Sequence, residues 1–346
     1  MRRLLILLTV LAAPAWGREI EDMAGRVVSV PDHADRVACL EVLCYPKMLM
    51  LGAADRVVLM TDNAAPWLVA TNPAAAAIPR VGAEVNMEEV LARGAQLAFF
   101  RYAPERTRAK LAELGVPALL SQPLSHARPD GQGFADEAKA MVRLFGKALG
   151  GEAERRAEEW CAYFDERVRF VAGRVAKVPP ARRTRLYYVR GPQALSTQGR
   201  GSYTYGAGLL AGADMVVGRA SLADKGGVSM EDMLGWDPEV ILVGRQYPLE
   251  LVLDDPRWKD VAAVRSGRVH STPEGVFYWD GGPENVLLMQ FMAKLLYPDL
   301  FRDFDLAAEV KAYYARFYRV TLSDGDVSQL LQGRSPDGSR RNPMNN

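Results

Sequence analysis

The chain has 346 residues, with 43 lysines and arginines set against 42 aspartates and glutamates. That balance offers no electrostatic handle for a polyanion and argues against nucleic-acid binding. Three cysteines are too few for a disulfide scaffold, and the length suits two domains of about 150 residues each.

At the start, Arg2 and Arg3 precede an apolar run over residues 4–13, followed by the small residues Ala15 and Gly17. This basic, apolar, small order is that of a secretory signal peptide, and the run is well short of the ~20 residues a membrane helix needs. Residues 1–17 are expected to be removed, with the cut before Arg18 or, second, after Ala15. No cysteine stands near either cut to carry a lipid. The mature chain is expected as a soluble monomer in the periplasm.

Short apolar runs at 37–40, 57–60, 97–100 and 116–120 read as strands, with helical segments at 46–51, 87–93 and 104–114 between them. Strands that are apolar throughout and alternate with helices imply a parallel sheet covered on both faces. The pattern resumes with strands at 186–189, 215–217, 240–243 and 269–271, and helices at 205–211, 230–234 and 285–296. Between the halves, Ala153, Ala157, Trp160, Cys161, Phe164, Val168, Val171 and Val175 recur in steps of three and four, one stripe of a long helix over 152–177. Such a helix is a rod of roughly 39 Å at 1.5 Å per residue. The expected organisation is an N-terminal α/β lobe over 18–150, a linker helix over 151–178, a C-terminal α/β lobe over 179–332 and a disordered polar tail over 333–346. Cys39 reads as a core strand residue and Cys161 as a core helix residue; an export compartment would permit a Cys39–Cys44 bond, and the state of that pair stays open.

An internal repeat links the halves. Val85-Asn86-Met87-Glu88-Glu89-Val90-Leu91 precedes Leu97-Ala98-Phe99-Phe100, and Val228-Ser229-Met230-Glu231-Asp232-Met233-Leu234 precedes Val240-Ile241-Leu242-Val243 at the same offset. Each copy is a helix capped by Asn86 or Ser229 that leads into a buried strand. With these segments, Asp22-Met23-Ala24-Gly25-Arg26-Val27-Val28, Gly52-Ala53-Ala54-Asp55-Arg56-Val57-Val58, Trp236-Asp237-Pro238-Glu239-Val240-Ile241 and Leu296-Tyr297-Pro298-Asp299-Leu300-Phe301 make the chain resemble the class III periplasmic binding proteins of ferric-siderophore, haem and vitamin B12 ABC importers. Arg93-Gly94-Ala95-Gln96 departs from that family's usual turn. The resemblance implies two similar parallel-sheet lobes joined by one long α-helix, a ligand in the cleft between them, and a permease and ATPase as partners. It also implies that one exposed acid per lobe docks on the permease, positions matched here by Glu88 and Glu231.

The residues offer little for catalysis. His33, His126 and His270 are far apart, no His-Glu-x-x-His, Cys-x-x-Cys or Gly-x-Ser-x-Gly pattern occurs, and no catalytic residue, metal site or cofactor is expected. Binding finds more. In parallel α/β sheets ligands meet the loops at the carboxyl ends of strands. Those loops carry Cys44, Tyr45, Asp62, Asn63, Trp67, Arg101, Tyr102, Gln122, His126 and Arg128 in the first half, and Arg190, Arg200, Tyr203, Tyr205, Arg245, Gln246, Tyr247, Phe277, Tyr278, Trp279 and Asp280 in the second. The residues expected to touch the ligand are Tyr45, Trp67, Arg101, Tyr102, Arg190, Arg200, Tyr203, Tyr205, Arg245, Tyr247, Tyr278 and Trp279. Aromatic faces cover planar or greasy surface, and guanidinium groups make charge-assisted bonds to oxyanions. The set points to an anionic, partly aromatic metal chelate such as a ferric siderophore. A molybdate-type oxyanion, a corrinoid, and an exported metal-dependent enzyme on the same scaffold are the alternatives.

Overall fold

The computed structural model describes residues 16–62, 65–82, 86–123, 130–222 and 225–340. The signal segment through Ala15 and the candidate residues Asn63, His126 and Arg128 lie outside them.

The chain opens with an antiparallel hairpin, β1 (Trp16–Glu21) and β2 (Val27–Pro31). The first lobe follows: β3 (Val37–Leu40), α1 (Cys44–Met50), β4 (Val57–Thr61), α2 (Trp67–Thr71), β5 (Arg80–Val81), α3 (Met87–Ala92), β6 (Leu97–Phe100), α4 (Glu105–Glu113) and β7 (Ala118–Leu120). Its five strands are all parallel, in the order β5-β4-β3-β6-β7. Strands β3, β6 and β7 are buried at every residue, as the continuous apolar runs require.

Two long helices come next, α5 (Gly131–Leu149) and α6 (Gly151–Val175), folded back on each other through Gly150 at φ +67°. The second lobe contains β8 (Arg185–Val189), β9 (Ser196–Gln198), α7 (Tyr203–Leu210), β10 (Asp214–Met215), β11 (Lys225–Gly227), α8 (Met230–Trp236), β12 (Val240–Val243), α9 (Glu250–Leu253), α10 (Ala262–Arg265) and β13 (Val269–Ser271). Its parallel sheet runs β10-β8-β12-β13, and β9 with β11 forms a separate antiparallel ribbon. Helices α11 (Asn285–Leu296), α12 (Leu306–Tyr313) and α13 (Asp324–Leu331) close the chain, with a π-helical turn over Tyr314–Tyr318 after α12.

The repeat seen in the sequence is a repeat of topology. Helix α3 leads into β6, which lies beside the lobe's first strand β3; α8 leads into β12, which lies beside β8. Asn86 Oδ1 accepts from the Glu88 N–H, and Ser229 forms a capping box with Asp232, so both helices start where the cap chemistry places them.

The long helix α6 is present but does not join the lobes alone. In α5, Phe145 stacks on Phe99 of the first sheet at 3.9 Å, while Phe134 meets Tyr203 of the second lobe edge-on at 5.9 Å. In α6, the buried Arg156 donates to the carbonyls of Met50 and Phe317, and the Trp160 indole donates to Tyr313 Oη at 3.1 Å. The joint is a layer of helices with one apolar core reaching into both lobes. Gly146 makes the α5–α6 crossing possible, because a Cβ there would sit 2.6 Å from Ala157 Cβ.

Cys39 is a buried core residue and also the partner of Cys44 in a disulfide, which closes the turn between β3 and α1. Within the polar tail the Ser335 N–H donates to the Ser339 carbonyl at 2.8 Å, and Arg334 Nη1 to the Gly338 carbonyl at 2.9 Å.

Candidate functional site in the cleft between lobes

Both sheets direct the carboxyl ends of their strands toward the cleft, and each lobe places a buried carboxylate there. In the first lobe, Glu41 follows β3. Its carboxylate accepts from the Leu43 N–H at 2.8 Å, Ser121 Oγ at 3.0 Å, Gln122 Nε2 at 3.3 Å and Lys47 Nζ at 3.4 Å. Lys47 also donates to the Leu43 carbonyl at 3.0 Å and lies over the Phe145 ring. Burial lowers the Lys47 pKa, and the charge of Glu41 opposes that shift.

In the second lobe the carboxylate is Asp280. It accepts from Arg190 Nε at 2.8 Å, from Arg245 Nε and Nη2 at 2.9 Å each, and from Tyr188 Oη at 3.4 Å. Burial alone would raise the Asp280 pKa; the two guanidinium groups outweigh it and hold the carboxyl below its usual range. The Asp280 side chain is 1% exposed while Arg190 and Arg245 keep 17% and 25%. One negative charge therefore sits beneath two positive ones that still reach the cleft. Among the described residues, the hydrogen bonds of Arg190 to Asp280 run through Nε, and those of Arg245 through Nε and Nη2, with none from the other terminal nitrogens.

The backbone at this point is unusual. Arg245 and the next residue, Gln246, have φ +53° and +60°. A non-glycine residue held there costs on the order of 1–3 kcal/mol, and such residues cluster at ligand sites. The guanidinium of Arg245 also lies over Tyr278 at 4.7 Å and Phe277 at 5.2 Å. Phe277 and Tyr278 pack in turn on Leu43 and Ala65 of the first lobe, so an apolar contact spans the mouth. Behind Arg245, Glu274 is fully buried, with the Gln246 backbone N–H near its carboxyl group. Burial, reinforced by the charge of Asp280, pushes its pKa well up and favours the neutral acid.

Of the residues read from the sequence, the structure gathers Arg190, Arg245 and Tyr278 around Asp280. Arg101 and Tyr102 follow β6 on the facing lobe and are exposed, Tyr102 at 70%. Other candidates point elsewhere. Tyr45 accepts from Asn72 Nδ2 at 2.9 Å and lines a cavity of about 500 Å³ with Asp55 and Val57, at the amino end of β4 and away from the cleft. Burial raises the Tyr45 phenol to about 12. Trp279 is buried in the main core, and Trp67 is buried with its indole committed to a backbone carbonyl. Tyr205 packs in the core against Gly218, and Tyr247 packs into the second lobe's own core. Tyr203 Oη donates to Glu137 of α5 at 3.4 Å, which makes it a lobe-to-helix contact. Arg200 is exposed and donates to the Gly218 carbonyl on the ribbon side. The parallel-sheet rule finds the right loops, but side chains of one loop alternate between cleft and core, and that parity is not written in residue type. Glu41, Lys47, Ser121 and Glu274 were missed; an isolated acid just past a buried strand was the available signal.

Glu88 and Glu231 occupy the exposed first turns of α3 and α8. One turn later, Leu91 and Leu234 are 37% and 49% exposed, at equivalent places in the repeat. Among the described residues no three His, Cys, Asp or Glu side chains cluster to hold a metal ion, and no helix is long and apolar enough to cross a membrane.

Two parallel-sheet lobes on a rigid helical layer, with a charged cleft at their facing strand ends, define a two-lobed binding protein. The chain belongs to the periplasmic binding protein family, whose model matches residues 37–275. It is 29% identical over 337 residues to the molybdate-binding protein MolA of Haemophilus influenzae, a match covering 90% of this chain and 94% of MolA. The structure of that molybdate periplasmic binding protein of an ABC transporter, bound to molybdate, superposes with a TM-score of 0.78 at 26% identity, covering 88% of this chain and 99% of the other. Helicobacter pylori CeuE with Ni(II) bound shares the fold with a TM-score of 0.70 at 18% identity, covering 91% and 99%. An Fe3+-hydroxamate transport protein of Saccharomonospora viridis shares it at 0.62 and 24%, covering 80% and 98%.

Proposed function

We propose that this chain is the periplasmic substrate-binding component of an ABC importer whose cargo is a small oxyanion of the molybdate kind, held between the lobes by Arg190 and Arg245. The observation that carries the reading is the arginine pair on one buried carboxylate. Asp280 holds Arg190 through Nε and Arg245 through Nε and Nη2, and its single charge neutralises only one of the two. The remaining positive charge and the outward N–H groups suit a compact anion, since hydrogen bonds to charged groups contribute about 1.5–3 kcal/mol each. The likeness to MolA over nearly the whole chain supports the same class of cargo. The ferric-chelate reading rested on an aromatic lining, and Tyr45, Trp67, Tyr205 and Trp279 are spent on core packing. Arg101 and Tyr102 remain available on the facing lobe to complete the shell. The family and relatives that are binding proteins support a carrier over an enzyme.

Delivery is proposed to run through the tops of the lobes, where Glu88 and Glu231 present equivalent carboxylates beside Leu91 and Leu234. Reversing both charges should abolish uptake in cells while leaving soluble ligand affinity unchanged; parallel loss of affinity would place these acids in the ligand site instead.

Titration of the purified protein with molybdate, a ferric hydroxamate, haem and cobalamin tests the cargo. Molybdate is expected to bind, and Arg190→Ala or Arg245→Ala should each weaken it by roughly one to two powers of ten. Binding of a ferric chelate alone, or unchanged affinity in both variants, would overturn the oxyanion reading.

A further inference from the structure

The segment after α13 takes part in the cleft. Trp67 in α2 belongs to the first lobe, and its indole N–H donates to the Arg334 carbonyl at 2.8 Å. On the other side, Gln246 Nε2 lies 3.4 Å from the Gly333 carbonyl and 3.5 Å from Ser335 Oγ. Each of those two contacts is long, but Gln246 is buried, stands in the left-handed region, and directly follows Arg245. Gly333 itself has φ +65°, and a Cβ there would lie 2.4 Å from the Thr272 carbonyl. The segment is thus pressed onto the loop after β13. One residue group further back, the Glu274 N–H donates to the Leu330 carbonyl at 3.0 Å. The segment's own turn holds its shape, and Ser335 is buried.

These contacts close a ring around one side of the mouth. The ring runs from the segment to Trp67, then to Ala65 near it in the chain, across to Phe277 and Tyr278, to Arg245 lying over them, to Gln246, and back to the segment. The α5–α6 layer and α11–α13 join the lobes at their base, whereas this ring joins them at the cleft.

We propose that residues 333–340 are a positioning strap, which ties the Arg245–Gln246 turn to α2 of the facing lobe and so sets both the opening of the cleft and the direction of the Arg245 guanidinium. Trp67 and Gln246 act here as positioning residues, with no contact to ligand required of either. The strap explains why two successive non-glycine residues hold left-handed backbone: neighbouring structure over-determines them.

The test compares three proteins: the full chain, a chain ending at Gln332, and full-length Trp67→Phe, which keeps a ring in place and removes one donor. Spin labels on Glu113→Cys and Lys259→Cys, exposed on opposite lobes, report the lobe separation without ligand; Cys161 is buried and Cys39 and Cys44 are paired. The full chain should give one narrow distance distribution. The shortened chain should give a broader one shifted to longer distance, and Trp67→Phe should lie between them. Sodium molybdate should bind the shortened chain about tenfold more weakly, the scale of one lost hydrogen bond. Identical distance distributions in all three proteins would overturn the strap. Because the distances need no ligand, a failure of molybdate to bind the full chain would count against the cargo and leave the strap decided by the labels. Should the shortened chain not fold, the Trp67→Phe distribution decides alone.

Discussion

The two sides of the cleft use the same place in the same fold in opposite ways. Past β3, Glu41 meets Lys47, Ser121 and Gln122, and the acid and its lysine are almost fully buried, with side chains 2% and 4% exposed. Past β12 and β13, Asp280 meets two arginines that remain partly exposed. The first arrangement balances its charge and closes on itself. The second leaves a positive surplus at the cleft, and it sits on strained backbone. A buried ion pair is weak evidence of net stabilisation, whereas a surplus of oriented charge in a cleft is what a ligand of opposite sign requires. The pinning differs too: the disulfide Cys39–Cys44 flanks Glu41, and the C-terminal segment flanks Arg245.

Removing the central acid should break the second side. Asp280→Asn leaves two adjacent guanidinium groups without a counter-charge, and a loss of about 3 kcal/mol in denaturant unfolding is expected, near the low end for a broken buried pair because both arginines keep contact with water. No change in unfolding would mean that Asp280 does not hold the arginines together.

Glu284 supports the same side from behind. It accepts from the Val276 and Phe277 N–H groups and from Tyr314 Oη, and burial raises its pKa to about 7 despite those donors. With a folded pKa above the unfolded one, an acid contributes stability that is complete below the unfolded value and is lost as pH rises through the folded value. Melting temperature should therefore fall between pH 5 and pH 7.5, with a Glu284 share of at most about 3 kcal/mol added to that of the buried Glu274, and Glu284→Gln should make that stretch of the profile shallower. A native profile that rises over the same range would contradict the burial argument.

On the first side, Cys39→Ala with Cys44→Ala should cost about 2 kcal/mol for so short a closed loop, measured by chemical unfolding. Smallest of all is the effect expected of replacing the whole ion pair. Glu41→Gln with Lys47→Met should change stability by little, as apolar or neutral replacement of a buried pair often does, and should leave anion affinity as it was. A large drop in affinity in that double variant would show that the two sides share the ligand, and the contrast drawn between them would fail.

Much of this architecture was legible in the amino acids. The apolar runs at 37–40, 97–100 and 240–243 could only be buried parallel strands, and the caps Asn86 and Ser229 located two helices that turned out equivalent. Helix α5 was missed although Phe134, Ala138, Met141, Val142, Phe145 and Leu149 form a stripe, because Gly131, Gly133 and Gly146 lower helix propensity. The reason for Gly146 is tertiary: it lets α6 approach. The strands β9 and β11 are three residues each and pair only with one another, too short for any period to register. At the site, residue type identified the arginines but not which of them face the cleft. Arg190 and Arg245 are distinguished from Arg200 by Asp280, a residue 35 to 90 positions away in sequence, and no local pattern encodes that pairing.

The most direct test of the cleft assignment is an anomalous difference map at the molybdenum edge from crystals grown with molybdate. A single strong peak within hydrogen-bonding reach of the Arg190 terminal nitrogens and Arg245 Nη1, between the lobes, is the result expected. A peak elsewhere on the molecule, or none at saturating molybdate while a ferric chelate occupies the cleft, would contradict it.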